Sequence, residues 1–65
     1  MKNAEKTLIK ISELKSGDVF LTTTSKLLVF GWRETDDTIV AYRYADEYHT
    51  EVVKNTAMVY LMENL

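Results

Sequence analysis

The stretch from Lys26 to Tyr44, KLLVFGWRETDDTIVAYRY, constrains the fold more than any other part of the chain. Leu27 to Arg33 and Thr38 to Tyr44 are rich in β-branched and aromatic residues that fit a pleated surface, and the polar Glu34-Thr35-Asp36-Asp37 lies between them. Two antiparallel strands joined by an acidic loop are predicted. Alternation sets Leu27, Val29 and Gly31 on one side of the first strand and Leu28, Phe30 and Trp32 on the other. Both sides are therefore apolar, unlike a strand with one wetted face. A loop of residues 34–37 places Arg33 opposite Thr38, Gly31 opposite Val40, Val29 opposite Tyr42 and Leu27 opposite Tyr44. On the other side Trp32 faces Ile39 and Phe30 faces Ala41. Gly31 among such large neighbours suits a strongly bent strand.

The chain has 65 residues, enough for one domain, and a chain of that size buries only about 60% of its unfolded surface. It contains no cysteine and one histidine, His49, so disulfides, thiolate metal sites and a histidine-built metal centre are excluded. No cofactor or metal is expected. Hydrophobic residues make up 46% and charged residues 28%, the proportions of a folded globular domain. The net charge of −2 argues against a protein devoted to neutralising phosphates. Charge is uneven, because residues 1–15 carry four Lys against two Glu while residues 34–51 carry six acids against Arg43. The longest apolar run, Leu27 to Phe30, is far too short to span a membrane, and the first residues lack the apolar core of a signal peptide. A soluble cytoplasmic protein is expected.

Residues 1–7 read as a loose terminus of a single domain spanning 1–65. Leu8 to Leu14 fits either a short strand ending in a turn or a helical turn. Ser16-Gly17-Asp18 is the clearest turn signal, with Gly17 free to take positive φ and Asp18 able to brace the local backbone. Asp18 to Thr24 reads as the first strand and Thr23 to Lys26 as a turn. The hairpin of Leu27 to Tyr44 follows. Ala45 to Glu47 breaks it, Tyr48 to Val53 is a fourth strand, Lys54-Asn55-Thr56 a tight turn, and Ala57 to Met62 a fifth. The fold class is mainly β: five short antiparallel strands in a small barrel or strongly twisted meander.

Two segments give this pattern a likeness. Glu13-Leu14-Lys15-Ser16-Gly17-Asp18-Val19-Phe20 resembles the leucine, turn, Gly-Asp, apolar opening of SH3-like small barrels, and Val53-Lys54-Asn55-Thr56 resembles the 3₁₀ turn before their last strand. The resemblance extends from Leu14 to Leu61 and implies a five-stranded SH3-like barrel with that 3₁₀ turn. The RNA-binding motifs of the Sm-like branch are missing, and basic chromatin barrels fit the acid excess poorly. SH3-like barrels serve as adaptors, nucleic-acid binders, enzyme accessories and inhibitors, so the likeness leaves function open.

No catalytic signature stands in the chain. His49 lies between Glu47 and Glu51, and on a strand these three alternate onto one solvated face without an adjacent nucleophile. The acidic loop lacks the glycine and ligand spacing of a calcium site. The aromatic residues carry more. If Val19, Leu21, Leu27, Val29, Val40, Tyr42, Val53, Val59 and Leu61 fill the interior, then Leu28, Phe30, Trp32, Ile39 and Tyr60 form a second apolar surface. A small protein seldom leaves such a surface uncovered.

Two functions of different class follow. The first is a non-enzymatic protein-binding module or inhibitor, of the kind common among phage and mobile-element products by analogy. It docks another protein or a second copy of itself through Leu28, Phe30, Trp32, Ile39 and Tyr60. The second is a single-stranded nucleic-acid binder in which aromatic rings such as Trp32, Tyr42 and Tyr44 stack on bases. Lys26, Arg33, Arg43 and Lys54 then meet phosphates.

Overall fold

A computed structural model of the chain describes residues 5–63. It contains six strands: β1 Glu5–Lys10, β2 Val19–Leu21, β3 Leu27–Arg33, β4 Thr38–Arg43, β5 Thr50–Lys54 and β6 Met58–Glu63. They form one antiparallel sheet in the order β1-β6-β2-β3-β4-β5. The expected mainly β class holds, but with six strands in place of five. The sheet is not closed, since β1 and β5 are its two edges. No helix among the described residues is long and apolar enough to cross a membrane.

The added strand comes from the N-terminal segment. Residues 5–7, expected to be loose, belong to β1, which pairs with β6 from Glu5↔Glu63 to Lys10↔Met58. Residues 1–4 lie outside the described part. The ambiguity over Leu8 to Leu14 resolves into both readings in succession, a strand and then a 3₁₀ turn at Ile11–Glu13. That is the 3₁₀ turn of the described chain, and the one expected before the last strand is instead a tight turn closed by Ala57 N–H donating to the Lys54 carbonyl.

The Ser16-Gly17-Asp18 turn forms as predicted. Gly17 has φ +94°, and Asp18 Oδ2 accepts from the Lys15 backbone N–H at 2.8 Å. Gly17 N–H donates to the Phe30 carbonyl and Phe30 N–H to the Asp18 carbonyl, which locks the start of β2 against β3.

The faces of β2, β3 and β4 are reversed relative to the sequence expectation, while Val53, Val59 and Leu61 lie on the core side as expected. Phe20, Leu28, Phe30, Ile39, Ala41 and Val59 form the buried core, with Ile11 and Leu14 packed onto them. Ile9, Val53, Ala57 and Leu61 complete it. The cause is the Ile11–Leu14 segment, which covers the side bearing the two phenylalanines. Leu28, Phe30 and Ile39 are therefore core residues, not docking residues.

The register explains Trp32. Val29 pairs with Tyr42 and Phe30 with Ala41 as expected, but a β-bulge lies between Phe30 and Trp32. Beyond it Trp32 pairs with Val40 and Arg33 with Ile39, one residue away from the expected pairs. The bulge moves Trp32 off the core side and swings Arg33 onto it.

Candidate functional site on the outer face of the sheet

The side of the sheet away from the core carries its own apolar rows. Cross-strand pairs share a face, so Leu8↔Tyr60, Tyr60↔Leu21 and Leu21↔Leu27 form one row across four strands. Val19↔Val29↔Tyr42 and Trp32↔Val40↔Val52 form two more. Neighbouring side chains partly shield the middle of this face, and Val40 is buried there. Its margins are open: Val52 is 66% exposed, Leu8 52%, Trp32 46% and Met58 41%.

Trp32 is held by two contacts. Its indole N–H donates to Glu34 Oε2 at 2.8 Å, and its ring meets Tyr42 edge to face at 5.8 Å between centroids. Tyr42 in turn lines a shallow cleft of about 400 Å³ with Glu47 and Tyr48, and Tyr48 is 90% exposed. Glu34, Trp32, Tyr42, Glu47 and Tyr48 thus make a continuous acidic and aromatic stripe. Of the five residues expected to form the docking face, only Trp32 and the half-buried Tyr60 lie on it. Alternation alone could not separate Trp32 from Phe30, which it sets on the same side. The available signal was Gly31, since glycine within a strand marks a bulge.

The residues considered for nucleic acid are divided. Lys26, Arg43 and Tyr44 line a second cleft of about 340 Å³ near the end of β4, whereas Arg33 and Lys54 lie near its start. Thr38 and Arg43 are about 17 Å apart along the strand at the usual rise per residue. Three of the four cations are also engaged. Glu51 accepts from Lys26 Nζ at 3.0 Å and from Arg43 Nε at 3.1 Å, and the hydrogen bond from Lys26 leads the causes that lower its pKa. Arg33 donates to Asn55 Oδ1 at 2.8 Å and to the Ser12 carbonyl at 2.9 Å, with its guanidinium over the Phe30 ring.

His49 does not alternate with Glu47 and Glu51 on a strand. The chain turns before β5, with Asp46 N–H donating to the Arg43 carbonyl and His49 N–H to the Asp46 carbonyl. The His49 Nδ1 contact with the Asp46 carboxylate is the main cause lowering the Asp46 pKa. In the acidic loop, Thr35 Oγ1 accepts from the backbone N–H groups of Asp37 and Thr38, a local turn arrangement. Among the described residues no group of three or more His, Asp or Glu is placed to hold a metal ion.

Comparison with known proteins finds no matching family model, no matching curated protein and no matching solved structure.

Proposed function

We propose that the protein is a small non-enzymatic binding module that docks a protein partner through the outer face of its sheet. The observation that carries this reading is the joint exposure of Leu8, Trp32, Val52 and Met58 on the side opposite a complete core. Fully burying a side chain of this size gains about 1.5–3 kcal/mol, so leaving four at the surface of so small a domain is costly without a partner. Trp and Tyr are also the residue types that most often anchor interfaces. In finer terms we take the fold as an SH3-like barrel with a strand added at its N-terminal side. The order β6-β2-β3-β4-β5 supports that reading, with β2 to β5 as a meander and β6 returning to β2. Docking of this kind serves an adaptor or an inhibitor equally, and a cytoplasmic setting fits the composition.

The engagement of Lys26, Arg43 and Arg33 by protein groups disfavours nucleic acid as the partner. The test is affinity capture from lysate with the wild type and with Val52→Glu and Met58→Glu, alongside solution mass over a concentration range. The exposed substitutions should shift unfolding by no more than about 0.5 kcal/mol while abolishing capture of the partner. Equal capture by the variants overturns the reading, as does a monomer that retains nothing. Oligonucleotide binding that falls steeply with salt would replace it by the nucleic-acid reading.

A further inference from the structure

We propose that the acidic and aromatic stripe recognises an arginine side chain on an extended segment of the partner, seated in the cleft of Tyr42, Glu47 and Tyr48. This inference rests on the docking role above and gives the partner its chemistry. The cleft joins two ring systems to a carboxylate, and Trp32 with Glu34 continues the same combination along the sheet. Aromatic faces attract cations through the ring quadrupole, and nearby carboxylates add a hydrogen-bonding countercharge. Among the described residues no lysine or arginine pairs with Glu34 or Glu47, so the negative charge is available to an incoming group.

The geometry selects among cations. A divalent metal needs several converging carboxylates, and the described residues supply no such group. Phosphate is repelled by Glu34 and Glu47. An ammonium holds its water strongly, whereas a guanidinium is weakly hydrated, stacks on rings and offers a planar fork to a carboxylate. The meeting of the Tyr42 and Tyr48 rings with Glu47 at one cleft suits the guanidinium.

The chain contains a single tryptophan, so Trp32 emission reports on the stripe directly. The full protein is titrated with a Gly-Ser peptide bearing three arginines, its lysine counterpart and the uncharged parent. The arginine peptide should change Trp32 emission saturably, bind more tightly than the lysine peptide, and weaken with salt. Tyr48→Ala, at a position 90% exposed, should keep the circular dichroism of the wild type and reduce affinity about three- to tenfold. Glu47→Gln should reduce it by a similar factor. Unchanged emission, equal binding of the lysine peptide, or wild-type affinity in Tyr48→Ala overturns the assignment. If the arginine peptide fails while Val52→Glu still abolishes capture of the partner, the cation site falls and the docking face stands. Failure of both removes both.

Discussion

A Cβ on Gly31 would stand 2.7 Å from the carbonyl oxygen of Val40, so only glycine fits the bulge that carries Trp32 to the outer face. The same Cβ would press on the Tyr42 ring, the partner of Trp32. Because the obstruction is backbone, relief requires the strands to move. Gly31→Ala should therefore cost about 1–3 kcal/mol in urea unfolding and shift the Trp32 emission maximum. Gly17→Ala is the contrast, since its φ is +94° but nothing lies near a new Cβ. It should cost about 1 kcal/mol through backbone conformation alone and leave Trp32 emission where it is. Equal costs with unmoved emission in both would remove the steric account of the bulge.

Phe30 and Trp32 sit two residues apart in β3 yet on opposite faces, and their truncations should differ accordingly. Phe30 is 4% exposed within the core, so Phe30→Ala should cost about 3–5 kcal/mol. Trp32→Ala loses an exposed ring and its Tyr42 contact, an effect of about 1 kcal/mol. Urea denaturation of both chains decides it. A Trp32→Ala penalty as large as that of Phe30→Ala would mean that the indole belongs to the core.

The mainly β class, the Gly17 turn and the Val29↔Tyr42 and Phe30↔Ala41 pairs could be read from alternation and turn chemistry. The choice of core side could not, because Leu27/Val29 and Leu28/Phe30 are about equally apolar and alternation is symmetric between faces. What breaks the symmetry is distant in sequence: Ile11 and Leu14 close over Phe20 and Phe30. β1 was obscured for a related reason. Residues 5–10 alternate weakly and become a strand through their ladder with β6. The stripe was hidden by a one-residue bulge and by Tyr48, whose loop position depends on the turn at Asp46.

Arg33, swung onto the core side by the bulge, ties three segments together. Its guanidinium donates to Asn55 Oδ1 and to the Ser12 carbonyl, and it covers the edge of the core at Phe30. Hydrogen bonds from a charged donor at an exposed site are worth less than buried ones, so Arg33→Ala should lose about 1–2 kcal/mol. Lysine lacks the planar fork that reaches both acceptors, and Arg33→Lys should recover less than half of that. Paired with Asn55→Ala, the double variant should be less destabilised than the sum of the single variants. Strict additivity would show that the two side chains do not cooperate.

Glu51 makes a pH dependence readable at the opposite end of the hairpin. The hydrogen bonds from Lys26 and Arg43 favour its ionised form in the folded chain, which lowers its pKa below the ordinary value of about 4.5. On acidification the unfolded chain then takes up the proton first, so this contribution is complete above that value. It is lost as the pH falls through the folded pKa. Asp46, held below the ordinary aspartate range chiefly by His49, acts in the same direction. Urea midpoints should therefore decline from about pH 5 to pH 3, and Glu51→Gln should flatten part of that decline. The difference should shrink in 1 M salt, where screening extends to about 3 Å, because both cations of the pair are half exposed. A Glu51→Gln chain that follows the wild-type slope at low salt would show that the carboxylate is bound no better in the folded chain than in the unfolded one.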